Sequence, residues 1–294
     1  MERIVDFLKY RFIAIGVSIA LIVIFSFATY LNDGFNWGID FNGGVKTIIK
    51  FEKGVDIAKI RGVFTKNNVS ATVQQIGKEE DNNYIIGSKL HGEGETSEKS
   101  YQIVKGALDK EFKKLDVISV ETVGPAIGAY LRKSALYSII IALVLIMVYL
   151  AFRFEFKYAV GAITALLHDI ALSMAFCGIM RIEMDIPVIS AILTLAGYSV
   201  NDTIVIFDRI RENINIESKQ MFSDIINKSV SQMLGRTILT SMLTLFSVIA
   251  IFFLGGEALH SFSKVLIFGL IVGSYSTIYI ASPVVLWWEK LTSK

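Results

Sequence analysis

From Phe12 to Leu31 the chain runs for twenty residues without a charge. That is enough for one helix to cross the hydrocarbon core of a bilayer, about 30 Å thick. Backbone groups at that depth must be satisfied within the segment, which commits such a run to a helix. Five more apolar runs follow, at residues 134–152, 158–180, 186–207, 236–256 and 265–288. The expected fold is therefore an α-helical polytopic membrane protein with six transmembrane helices. Arg3, Lys9 and Arg11 precede the first run in the manner of a signal peptide. The run is too long for one, and Ser26–Tyr30 offers no small-residue cleavage site. Residues 1–11 then read as an N-terminal tail and 12–31 as an uncleaved anchor.

Charge marks the part that is not membrane. Charged residues make up 19% of the chain, against roughly 25% in soluble domains. Of the 56 charged side chains, 28 lie between Asn32 and Arg132 and only 23 in the 162 residues beyond. Residues 32–132 thus form one soluble domain between the first two spans, and residues 133–294 a five-helix membrane domain. Arg153 and Lys157 flank the second-to-third connection, whereas the turn Arg181–Asp185 between the third and fourth spans is net acidic. Arg209, Arg211, Lys219 and Lys228 crowd the connection between the fourth and fifth spans, residues 208–235. The positive-inside bias puts both termini in the cytoplasm and the 32–132 domain outside, with Trp287 and Trp288 anchoring the last helix at the inner interface. Within 208–235, Phe222, Ile225, Ile226, Val230, Met233 and Leu234 recur at helical spacing. That predicts an amphipathic helix on the membrane surface, against a partner, or simply seating the fifth span.

The soluble segment alternates element types. Val45–Phe51 reads as a strand and Ile57–Asn67 as a helix entered from Asp56. Ala71–Ile76 and Tyr84–Ser88 read as strands about a Glu79–Asn83 turn, Thr96–Phe112 as a helix, and Val117–Val123 as a last strand. Gly92–Glu95 reads as an exposed loop. The order β-α-β-β-α-β predicts an α+β ferredoxin-like extracytoplasmic domain. Its 14 basic and 14 acidic residues cancel, which argues against nucleic acid. Cys177 is the only cysteine, so no intrachain disulfide forms. His91, His168 and His260 are not at zinc-ligand spacing. Neither metal nor cofactor is expected, and the chain does not read as an enzyme.

Function is sought where the spans break their own apolar rule, because ionisable groups in a span usually face a bundle or a watery cavity. The third span carries His168-Asp169, the fourth Asn201-Asp202-Thr203, and Arg236 opens the fifth. An isolated carboxyl in hydrocarbon takes up a proton, and a nearby guanidinium favours the carboxylate. A carboxyl held between these influences can load and release a proton. Asp202 and Arg236 equally fit a structural ion pair, and His168-Asp169 either a relay or a buried hydrogen-bonded pair. Gly43, Gly44, Gly124 and Pro125 join the outer domain to spans one and two, as hinges or as tight turns. Gly161, Ala162, Ala165, Gly178, Ala191, Ala196 and Gly197 allow close helix packing.

Three stretches, Ala165–Asp169, Gly197–Val205 and Asp208–Asn213, resemble the SecF branch of the SecD/SecF protein-export family, related to the resistance–nodulation–division transporters. Gly38–Gly44 and Val123–Gly128 match it as well. The resemblance covers nearly the whole chain and implies a separate-subunit form that partners SecD in the bacterial cytoplasmic (inner) membrane. It further implies association with the SecYEG channel and use of the proton-motive force to promote export of unfolded preproteins. In that family an aspartate of the fourth span and an arginine at the fifth are implicated in proton conduction; these map onto Asp202 and Arg236, with Asn201 and Thr203 beside the aspartate. Some relatives use sodium. The alternatives are a half-transporter for lipid or small-molecule efflux and a non-transporting assembly scaffold.

Overall fold

The computed structural model describes residues 4–52, 54–76, 81–89, 97–112, 114–217, 219–256 and 259–292. Among the described residues six helical stretches are long and apolar enough to cross a membrane. They are α1 (Arg11–Leu31), α5 (Pro125–Arg153), α6 (Phe156–Ile179), α7 (Ile186–Ile216), α8 (Phe222–Leu254) and a last stretch from His260 to Thr292. That last stretch comprises α9 (His260–Ser276), a π-helical turn (Thr277–Ala281) and α10 (Ser282–Thr292).

Between α1 and α5 come α2 (Ile39–Asn42), β1 (Gly44–Phe51), α3 (Ile57–Lys66), β2 (Ala71–Ile76), β3 (Asn83–Lys89), α4 (Ser97–Glu111) and β4 (Leu115–Val123). The strands form one antiparallel sheet in the order β2-β3-β1-β4. The Asp56 carboxylate caps α3 by accepting from Ala58 N at 2.9 Å, satisfying a donor the helix leaves orphaned. Ile49, Phe51, Ile60, Phe64, Ile86 and Leu108 close a core between sheet and helices. His91, Thr96, the Gly92–Glu95 loop, and Glu79 and Glu80 of the Glu79–Asn83 turn lie outside the described residues.

Two junctions seat this domain on the bundle. Gly43 ends α2 at φ +81°, a conformation costly for any side chain with a Cβ. It also lies so close to the other joint that a Cβ there would sit 3.0 Å from Val123 O and 3.1 Å from Pro125 N. The four hinge candidates are therefore one cluster. Gly124 has ordinary extended backbone, φ −71° and ψ 153°, and Pro125 opens α5 at a position where its missing N–H is no loss. The second junction joins the segment after α1 to the turn between α6 and α7. Gly38 N donates to Met184 O at 2.7 Å, Met184 N to Asn36 O at 2.8 Å, and Ile186 N to Asp40 Oδ2 at 3.1 Å. The Arg181 guanidinium donates to the carbonyls of Asn32 and Gly34.

Asp185 caps α7 through Val188 N at 2.9 Å. Burial pushes its carboxyl up to about 6, the Val188 bond opposing and Asp40 and Glu183 adding to the rise. A carboxyl with a raised native pKa favours folding below its unfolded value, and that contribution is lost as pH rises toward 6. Asp185→Asn keeps the cap without the charge. It should match the parent's unfolding midpoint in detergent near pH 4 and exceed it at pH 7, by about 1–2 kcal/mol after solvent screening.

The bundle is layered. α6, α7 and α9 are interior, with Leu166, Val188, Ile192, Leu195 and Val265 fully buried, while α1, α5 and α8 bury little of their apolar surface. Small residues set the spacing. A Cβ on Gly178 would lie 2.8 Å from Thr29 Cβ, and one on Gly161 3.0 Å from Ala281 O. Gly197 departs from the expectation: nothing lies within 4 Å of its missing side chain. Gly178→Leu should drive α1 off α6 and lower stability by about 1–3 kcal/mol, read as a fall in the detergent unfolding midpoint. Gly197→Ala should leave that midpoint unchanged.

Within residues 208–235, α7 runs on to Ile216, and the amphipathic stretch is the first part of α8, continuous with the fifth span. No proline interrupts it, and Gly235 within it costs only about 1 kcal/mol. The buried face, Ile225, Ile226 and Val230, packs inside the protein. Asn227 accepts from Leu8 N at 3.1 Å and donates to Asp6 at 2.8 Å. The stretch seats the fifth span.

Candidate functional site

The intramembrane polar residues fall into two groups that share one wall. Asp202 projects from α7 towards α8, where its carboxylate accepts from Ser241 Oγ at 3.0 Å and, at 3.5 Å, from Thr240 Oγ1. Ser274 of α9 donates in turn to Ser241 at 2.9 Å. These groups, with Asn201, Ser199 and Gly273, line a cavity of about 40 Å³, room for on the order of two waters among polar partners. Asn201 and Thr240 are exposed on the outside of the single chain, at a depth where polar surface is costly.

The second group surrounds Asp169, whose side chain is fully buried. One carboxylate oxygen takes hydrogen bonds from Ser199 Oγ at 2.5 Å and Ser276 Oγ at 2.8 Å. The other meets His168 Nδ1 at 2.9 Å. Three helices thus converge on one carboxyl: α6, α7 and α9. His168 Nε2 is buried and has no hydrogen-bond partner among the described residues. Thr203 is buried on α7 and shares a 3.1 Å contact with Thr277, at the start of the π-helical turn. Such local widening is frequent at functional sites. Ser199 belongs to both groups, bonding Asp169 while lining the Asp202 cavity. A Cβ on Gly273 would meet Ser199 Oγ at 3.4 Å and Asp169 Oδ2 at 3.7 Å, so a small residue there lets α9 close over the carboxyl.

Arg236 stands apart. Asp202 and Arg236 make no ion pair within 4 Å. Arg236 precedes Thr240 and Ser241 by four and five residues, about 6–7.5 Å along α8. It lines an open cleft of about 450 Å³ with Arg153, Asp208, Arg209 and Glu212. The pairing read as a possibility from sequence is replaced by a stagger of about one helical turn. At this end Arg209 bonds Glu212 at 2.5 Å and Gln232 at 2.7 Å, and buried Asn213 bonds Ser229 at 2.8 Å. The Asp208–Asn213 stretch therefore locks α7 to α8.

Sequence reasoning missed Ser199, Ser241, Ser274 and Ser276. The available signal was hydroxyl clustering in otherwise apolar helices, Thr240-Ser241 and Ser274–Thr277. Any such hydroxyl can instead bond its own helix carbonyl four residues back, as Thr244 does. Among the described residues no cluster of side chains fits a metal ion.

A family model described as "Protein export membrane protein SecD/SecF, C-terminal" matches residues 103–291. The protein translocase subunit SecF of Rickettsia rickettsii is 37% identical over 281 residues, spanning 95% of this chain and 90% of that one. That of Thermodesulfovibrio yellowstonii is 38% identical over 287 residues, spanning 96% and 94%. The chain belongs to the SecF family. It is a multi-pass membrane protein and an accessory subunit of protein export. Among solved structures it is similar to SecDF of Thermus thermophilus, a translocon-associated membrane protein. The TM-score is 0.81 at 30% identity over 98% of this chain. It is also similar to SecDF in a super-membrane-facing form, at TM-score 0.74 and 32% identity. This SecF-family chain spans only 39–40% of the length of those SecDF chains.

Proposed function

We propose that this SecF-family subunit works with SecD beside the SecYEG channel, drawing on the proton-motive force to promote export of unfolded preproteins across the bacterial cytoplasmic membrane. Asp202 is the proton-carrying group. Asn201 lines its cavity, Thr203 ties α7 to the π-helical turn through Thr277, and Arg236 sets the potential at the cytoplasmic mouth. The chain catalyses no chemical reaction. Both termini are cytoplasmic, and residues 32–132 form a ferredoxin-like domain outside the membrane that moves about the Gly43-Gly44 and Gly124-Pro125 joint.

The observation that carries this reading is the setting of Asp202. Its carboxyl is held by two neutral hydroxyls, beside a cavity of water size, with no cation in contact. A carboxyl so placed can exist with or without its proton, whereas one clamped to a guanidinium is held charged. The exposed polar surface at Asn201 and Thr240 supports a second membrane half covering it, as in repeat-built transporters. The β2-β3-β1-β4 order, with two helices on the sheet, supports the ferredoxin-like reading. The scaffold alternative rested on a structural Asp202–Arg236 pair and finds no support in their separation. Its test is proton entry into vesicles carrying this chain with SecD, followed with a pH-sensitive dye under an imposed potential. Flux should appear with the parent and be absent with Asp202→Asn. Equal flux from both would refute the assignment.

A further inference from the structure

A groove opens on the domain-bearing side of the membrane region, between α5 and α7, beneath the segment that follows α1. Its volume is about 430 Å³, within the range of small-ligand sites. Trp37 and Phe41, edge to face at 5.8 Å, form the roof, Leu136 one wall, and Met174 and Ile189 the other. Two lining residues break the apolar rule. Arg132 and Lys133 stand exposed at the mouth, and no lining residue is acidic. Among the described residues neither cation has a carboxylate within 4 Å; Arg132 lies over the Trp37 ring at 5.6 Å and Lys133 over Tyr137 at 5.6 Å.

We propose that this groove holds an anionic phospholipid of the leaflet on the domain side. Its phosphate would meet Arg132 and Lys133, and an acyl chain would run along Leu136, Met174 and Ile189. The layout of the site matches the layout of that ligand, charge at the mouth and hydrocarbon below. Adjacent cations at headgroup depth with no protein counter-ion attract anionic lipid. A guanidinium presents a fork that fits phosphate oxygens. Methionine accommodates chains of varied shape. Trp37 and Phe41 belong to the segment that ties the outer domain to α6–α7, so the lipid touches the seat of that domain. The inference does not depend on proton coupling.

Trp37 is its own reporter. The chain has three tryptophans, so Trp287→Phe with Trp288→Phe leaves Trp37 alone. That variant is placed in phosphatidylcholine vesicles containing either brominated phosphatidylglycerol or brominated phosphatidylcholine. Half-maximal quenching should need a roughly fivefold lower mole fraction of the anionic lipid, the factor one headgroup–cation contact supports. The preference should fall as salt is raised, and Arg132→Gln with Lys133→Gln should abolish it. Equal quenching by the two lipids would overturn the proposal, as would a preference that survives both high salt and charge removal. Shielding of Trp37 from both quenchers would mean that a protein segment fills the groove, and would overturn it too.

Discussion

Asp202→Asn is expected to reduce the potential-dependent part of preprotein translocation to the uncoupled baseline, while the chain still folds and co-purifies with SecD. Asparagine has the size of the carboxyl; its oxygen can accept from one of the two hydroxyls, Ser241 or Thr240, and its NH2 can donate to the other, so the contact of α7 with α8 survives. It cannot bind and release a proton. One proton crossing roughly 100 mV supplies about 2.3 kcal/mol, about 50-fold in an equilibrium constant. Without it the potential has nothing to act on. The assay is uptake of a labelled preprotein into inverted membrane vesicles with and without an uncoupler, and at least a tenfold loss of the uncoupler-sensitive increment is expected. Ser241→Ala removes one donor and leaves the proton carrier, so its loss should be only a few-fold. The exchange Asp202→Arg with Arg236→Asp should stay inactive, because the two groups are staggered and their contact is not what matters. Full stimulation by Asp202→Asn, or rescue by the exchange, would defeat the coupling assignment.

What the sequence made legible follows from how local each signal is. Six apolar runs are unmistakable because a bilayer imposes a length on every crossing. The outer elements follow from period-two and helical spacing, and the cap at Asp56 from the residue before Ile57. Asp202 and Asp169 stood out because charge is rare in a span. The ends of the helices were less legible. Apolar runs report the hydrocarbon, whereas α5, α7 and α8 continue beyond it for several turns, where polar residues sustain a helix equally well. The four-residue α2 inside Gly38–Gly44 was missed for the opposite reason, since one turn has no periodicity to read.

The relation between groups was least legible. From sequence, Asp202 and Arg236 are two opposite charges on neighbouring helices. Only the start of α8 at Phe222 reveals that Arg236 lies a turn short of the carboxyl. The cage about Asp169 joins residues 30 and 107 positions away, on helices whose serines look like any others. The sequence exposes the costly group. The donors that make it tolerable are settled by packing.

That cage underlies the largest expected stability effect. Asp169→Ala should lower the stability of the detergent-purified chain by about 3–4 kcal/mol. Intramembrane hydrogen bonds average only about 0.6 kcal/mol, so three lost bonds account for about 2; orphaned buried donors and the space left behind supply the rest. Ser276→Ala, which leaves Ser199 and His168 on the carboxyl, should cost less than about 1.5 kcal/mol. Asp169→Asn keeps the volume and two acceptor contacts and should fall near the serine variant. Unfolding midpoints rank the three, and a small effect of Asp169→Ala would mean the cage does not bind the helices together. The asparagine variant then separates frame from relay. A carboxyl that only ties α6, α7 and α9 together leaves potential-driven export largely intact when replaced by asparagine, in contrast to Asp202→Asn. A folded Asp169→Asn protein with no uncoupler-sensitive translocation would instead place Asp169 in the proton's path, with Ser199 as the link to the Asp202 cavity.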